Sequence, residues 1–346
     1  MRAVLLIMLL LFQDFFIFFV GDFFWITFII LLLGFCLASI RSIKIEKTPA
    51  IIFFTILSIV FFRSSFLGIS LFSILKELLI YLIIPITFFI NYKIPTRRQQ
   101  YFYFYFFLIL VIGIVIEYNN GVFDKFQRNS LGRNFFLIGS PSNLFIYSFG
   151  LILLSKSIYS FKIKSILNLI LSILSFSRYP FIASILVNVP KIKNNFFLLI
   201  IGLFFILLLY FNFNQILLDP GNVGRLKYWI YLFNYYNPNI IELFIGKGMG
   251  MISENPIYES VHMESSFIKT FIELGFLGII SFGYIYYFLI KNTTDIYFKS
   301  YVTLIFIQSI IAPMFPSIGN FVFLGLTSSI YKKMAIDRSY NNIIKI

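Results

Sequence analysis

A histidine, several carboxylates and a set of basic residues crowd into the most polar stretch of this chain. Between Gly221 and Gly278 lie Arg225, Lys227, Lys247, Glu254, Glu259, His262 and Glu264, and the stretch then runs straight into an apolar segment. His262 is the chain's one histidine. At helical spacing His262, Ser266, Lys269 and Glu273 fall on one face, giving a polar stripe to a helix that is otherwise apolar. Such a stripe must face a cavity or another helix. Glu259 and Glu264 stand beside it as groups able to accept a proton; the plainer role for His262 is a loop histidine with a local hydrogen bond.

Arg225 and Lys227 precede Trp229 by four and two residues. If residues 224–235 are helical, Arg225 and Trp229 share a face one turn apart. Two roles fit: an anchor with Trp229 at a membrane surface, or a guanidinium fork on an anionic headgroup or diphosphate. Arg178, in Ser177-Arg178-Tyr179-Pro180, has a similar pair of roles. It either satisfies carbonyls freed by Pro180 or presents a cation to a phosphate or carboxylate. Gly246-Lys247-Gly248-Met249-Gly250 lacks the strand–turn–helix context of a nucleotide loop and reads as a tight turn whose amides are free to face an anion. No pair of aspartates forms a D-x-D arrangement, and one histidine with one cysteine leaves no zinc site. The expected site therefore has no metal and no cofactor.

The elements that must hold these residues follow from composition. Sixty per cent of the 346 residues are hydrophobic, 12% are charged, and mean hydropathy is +0.92. A soluble domain carries about a quarter charged residues, so this pattern predicts an all-α polytopic membrane protein. The net charge of +14 is spread through short loops and is not interleaved with aromatics, which argues against nucleic acid. Cys36 lies in an apolar run, so no internal disulfide forms.

About twelve spans are expected, in a single unit covering 1–346. They are 3–20 (an uncleaved first span), 23–40, 50–67, 70–90, 101–117, 142–158, two short spans within 165–190, 195–211, 265–290, 299–312 and 318–331. Residues 118–141 form a first external loop, and 212–263 a long external loop between spans nine and ten. Splitting 165–190 at Arg178 and Pro180 follows from the helix-breaking proline and from a cost of about 3 kcal/mol for a mid-membrane arginine. Of the 28 Lys and Arg, eighteen then lie inside, seven outside and three within spans, with both termini cytoplasmic. Arg63, Lys76 and Glu77 fall inside spans three and four, where buried pairing is their simplest role.

Four blocks of the sequence resemble the O-antigen polymerase and O-antigen ligase superfamily. They are RNSLGRNFFLIGSPSN from Arg128 to Asn143, Ser177-Arg178, Arg225 with Trp229 and the GKGMG turn, and VHMESSFIKTFIELGFLG from Val261 to Gly278. Together they cover about 125–280. The resemblance implies a metal-independent glycosyltransferase of the bacterial cytoplasmic membrane, acting outside it on undecaprenyl-diphosphate-linked glycan. A chain-length regulator and a flippase are the partners it implies, beside membrane lipids. Breaking the anomeric C–O bond releases a lipid diphosphate, whose growing charge needs fixed cations. Arg178 and Arg225 fill that role in this reading, with Arg128, Arg133, Lys227, Trp229 and Lys247 as binding residues. His262 is the expected general base for the acceptor hydroxyl, with Glu264 second. Ligases carry His-Asn where this chain has His262-Met263, so the resemblance is closer to polymerases of O-antigen or capsule. A ligase, and a transporter of a lipid-linked sugar or small anion, remain the alternatives.

Overall fold

The computed structural model describes residues 2–11, 31, 48–88, 95–119, 141–158, 160–174, 183–184, 236–254, 266–293, 295–311 and 320–331. Among them the secondary structure is helical, with no strand. The helices are α1 (Arg2–Leu11), α2 (Thr48–Phe66), α3 (Leu71–Phe88), α4 (Arg97–Asn119), α5 (Pro141–Leu154) and α6 (Phe161–Leu174). They continue with α7 (Ile240–Ile245), α8 (Met251–Glu254), α9 (Ser266–Lys291), α10 (Ile296–Ile311) and α11 (Asn320–Tyr331). One described helix, α9, is long and apolar enough to cross a membrane by length and composition.

Local sequence explains the ends. Pro49 occupies the first turn of α2, where its missing N–H costs nothing. Beyond Phe66, Gly68 takes φ of 76° and the Leu67 N–H closes on the Arg63 carbonyl at 3.1 Å, which stops the helix. Ser70 starts α3 by accepting the Ser73 N–H. Thr96 and Gln99 cap α4 reciprocally, as Asn239 and Glu242 cap α7. Asp295 accepts the Tyr297 and Phe298 amides at 3.0 Å each and starts α10.

Hydroxyls within α2 do not stay bare. Thr55, Ser58, Ser64 and Ser65 each donate to the carbonyl four residues back. The core is largely aromatic and packs α11 against α5 and α10. Tyr147 stacks on Phe323 with centroids 4.8 Å apart, Phe298 stacks on Tyr331 at 5.0 Å, and the Tyr301 hydroxyl donates to the Ile146 carbonyl. Every residue of α11 is buried.

Polar links gather at the two ends of the bundle. Near the start of α3 the Ser70 N–H donates to Glu254 at 2.7 Å, and Arg63 pairs with Glu242 at 3.8 Å. At the opposite end, beyond Lys291, Lys156 pairs with Asp295 and lies over the Tyr331 ring. There too the Ser157 N–H donates to Gln100 at 2.9 Å. Lys164 lies in the first turn of α6, fully buried, with its ammonium donating to the Ser155 carbonyl at 2.6 Å.

The helices follow the expected spans closely wherever they are described. Residues 120–140, 175–182, 201–235 and 255–265 lie outside the described residues, so the break at Ser177–Pro180 and most of both external loops do as well.

Candidate functional site

The described part of the polar stretch is not a tether in solvent. Residues 236–254 pack beside α9 down to a break in that helix. Gly275 sits inside α9 with φ 66° and ψ −161°, values no helix contains. The break strips the preceding carbonyls of their helical partners, and the turn after α7 supplies replacements. The Lys247 N–H donates to the Ile272 carbonyl at 2.7 Å and the Gly248 N–H to the Glu273 carbonyl at 3.2 Å. The next two amides are also taken: Met249 donates to the Ser64 hydroxyl at 2.8 Å and Gly250 to the Glu273 carboxylate at 3.2 Å.

This corrects the expectation that the GKGMG amides face an anion. All four point into the protein: two onto carbonyls freed by the break, one onto the Ser64 hydroxyl and one onto the Glu273 carboxylate. The glycines are required by space as well as by φ. A Cβ at Gly246 would sit 2.2 Å from the Glu273 carbonyl oxygen, and one at Gly275 would sit 2.5 Å from the Phe244 carbonyl carbon.

Around the turn lies a buried charge cluster. Lys269 donates to Glu77 at 2.5 Å, and the Tyr81 hydroxyl donates to Glu273 at 2.8 Å. Each pair sits one helical turn from the other on both helices, so α3 and α9 match along a polar seam. Two carboxylates and one ammonium share this seam. Glu273 is fully buried, with one oxygen on Tyr81 and the other on the Gly250 amide. The stripe expected on span ten is therefore real for Lys269 and Glu273, and it faces α3 and the turn. Ser266 is buried too, its carbonyl accepting the Thr270 hydroxyl.

Arg63 and Glu77 are paired, as expected of charges within spans. Arg63 meets Glu242, the residue that caps α7, so even this pair ties the loop to the bundle. Lys247 holds its ammonium 5.0 Å from the centroid of the Tyr236 ring. Tyr236 in turn packs with Ile252 and Ile272 and meets Phe271 edge-on. Glu254 accepts the Ser70 amide, and the Ser70 hydroxyl first, with that amide and Ser73, holds its carboxyl below the usual range.

Of the residues expected to carry chemistry, Lys247 is described and sits at this turn. Arg128, Arg133, Arg178, Arg225, Lys227, Trp229, His262 and Glu264 lie outside the described residues, as does the side chain of Lys76. Sequence reasoning missed Tyr81 as a partner of Glu273 and Ser64 as a partner of the loop. The signal for Tyr81 was present: it follows Glu77 by four residues, as Glu273 follows Lys269. Among the described residues no three His, Cys, Asp or Glu side chains form a metal-holding group. Comparison with protein-family models and with the curated proteins finds no match.

Proposed function

We propose that this chain is a polytopic membrane protein of about twelve transmembrane helices, and a metal-independent glycosyltransferase. It joins undecaprenyl-diphosphate-linked repeat units into O-antigen or capsular polysaccharide on the outer side of the bacterial cytoplasmic membrane. The order of the four sequence blocks supports the family, and the docked loop supports the chemistry. That docking is the observation that carries the reading. A transfer between two bulky glycans needs its cations and base held still, and segment 236–254 is fixed to α2 and α9 through its main-chain amides.

The contacts also support the topology. Each polar link joins segments that the alternation of spans assigns to one side: Ser70 with Glu254 outside, Lys156 with Asp295 and Gln100 with Ser157 inside. A single crossing over 165–190 would separate Ser70 from Glu254 by a bilayer. Two crossings bring them together, in agreement with the predicted break at Arg178.

In this reading Arg178 and Arg225 meet the departing lipid diphosphate, with Lys247, Arg133, Arg128 and Lys227 helping to bind it. His262, or else Glu264, takes the proton from the acceptor hydroxyl as the anomeric C–O bond to the diphosphate breaks. The test is glycan length on gels from a deletion strain carrying wild type or Arg225→Ala. A ladder with wild type and single repeats with the variant is the expected result. Surface loss of single repeats in the deletion strain would favour a ligase or a flippase, and a ladder indifferent to the gene would sink the reading.

A second reading, transport of a lipid-linked sugar or small anion, draws on the buried Glu77–Lys269–Glu273 seam, since charges of this kind mark ion pathways in carriers. It predicts that Glu273→Gln abolishes function while leaving the fold intact. The glycosyltransferase reading predicts that this neutral variant still makes polymer.

A further inference from the structure

The turn and α7 sit at a particular depth. Phe244 to Gly248 touch α9 at residues 272–275, which lie before the helix midpoint near Gly278 by about 5–10 Å at 1.5 Å per residue. The half-thickness of a hydrocarbon core is about 15 Å. A helix centred on the bilayer would thus carry this part of the outer loop below the headgroups. Irregular backbone is tolerated at such depth where protein satisfies its polar groups. The four consecutive amides from Lys247 to Gly250 are all satisfied by α2 and α9.

The exposed side of α7 is apolar. Ile240, Ile241 and Phe244 face outward, while Glu242 turns inward to Arg63 and its own cap. Phe244 abuts Gly275, and just beyond it α9 exposes Phe276 and Ile280. Ile241 and Ile280 are each 63% exposed, on helices that meet where Phe244 abuts Gly275. The neighbouring end of α2 and start of α3 expose Phe62, Phe66, Leu71 and Phe72.

We infer that Ile240–Ile245 is a re-entrant helix whose Ile240, Ile241 and Phe244 face the acyl chains of the outer leaflet, level with the break in α9. The inference rests on the membrane reading above and goes beyond it: the middle of the long external loop is a lipid-facing part of the bundle. It fixes where a lipid-borne substrate would approach, beside α7 and not from the aqueous side of the loop.

Nitroxide spin labels test it on the full chain in phospholipid nanodiscs. Single cysteines replace Ile241, Phe244, Ile280 and Ser160, each in a Cys36→Ser background. Ile280 is the bilayer reference and Ser160, exposed at the opposite end of the bundle, the aqueous one. Collision with oxygen and with a water-soluble nickel chelate is measured at each site. Oxygen-dominated relaxation at 241 and 244, matching 280, is expected. Nickel-dominated relaxation at 241 and 244 with oxygen dominating at 280 would overturn the inference and leave the membrane reading standing. Low accessibility to both reagents at 241 and 244 would also overturn it, in favour of a protein partner. Nickel dominating at 280 would remove the membrane reading itself.

Discussion

Gly68 and Gly246 share the same φ, 76°, and differ in what surrounds them. A Cβ at Gly68 meets nothing within 4 Å, whereas one at Gly246 meets the Glu273 carbonyl and the Leu274 nitrogen at 2.2 and 2.5 Å. Alanine at Gly68 therefore costs only the left-handed backbone, about 1–2 kcal/mol. Alanine at Gly246 costs at least as much, since its ψ of 179° lies in a region essentially only glycine occupies, and it must also move the turn off α9. That movement breaks the Lys247 and Gly248 bonds to the Ile272 and Glu273 carbonyls, and leaving such groups buried without partners costs about 1–3 kcal/mol each. The excess over Gly68→Ala is about 2–6 kcal/mol, equivalent to roughly thirtyfold to twenty-thousandfold in local opening. Hydrogen exchange on the purified protein reads this directly. Gly246→Ala should accelerate the Lys247 and Gly248 amides by that factor, and Gly68→Ala should leave them unchanged. Equal protection at both amides in the two variants would refute the argument that the turn caps the broken helix.

The charge seam should be strongly non-additive. Lys269→Met leaves the Glu77 carboxylate buried without its cation and should lower stability in detergent by about 3–5 kcal/mol, while Lys269→Met with Glu77→Leu recovers most of it; additive losses would show that the two side chains are not coupled. Asp295 both caps α10 and pairs with Lys156, so Asp295→Ala should cost about 1–2 kcal/mol and Lys156→Met under about 1; thermal denaturation of the two variants checks the order. Glu254 has its carboxyl held low by Ser70, so the link it makes is present above the ordinary carboxylate range and is lost as pH falls through the depressed value. Protection of the Ser70 amide, its exchange rate taken against the intrinsic rate at each pH, should fall on acidification in wild type, and Glu254→Gln should flatten that dependence.

Helix positions were legible because apolar runs and their flanks are local signals. Thr48–Phe66, Leu71–Phe88 and Ser266–Lys291 begin and end within a few residues of where hydropathy placed spans three, four and ten. The stripe itself was legible from the spacing of Lys269 and Glu273. What it faces was not, since Glu77 lies 192 residues away from Lys269 and no local pattern encodes the match. The turn misled for the same reason. A glycine-rich loop with exposed amides and one whose amides cap a distant helix look alike until the break at Gly275 is seen. That break has a sequence trace, Leu274-Gly275-Phe276-Leu277-Gly278, but glycine in an apolar helix marks close packing as often as interruption.

The pairing of the turn with both α2 and α9 constrains how the protein is made. Ser64 leaves the ribosome long before the turn, whereas the carbonyls of Ile272 and Glu273 follow it by about 25 residues, a delay on the order of seconds at roughly 5–20 residues per second. Through that interval the Met249 amide already has its acceptor on α2, while the Lys247 and Gly248 amides and the Gly250 amide do not. The segment thus has one flank of its cradle available before the other exists. α9 completes a binding surface already half built, and its arrival is the step at which the loop's backbone becomes fully bonded.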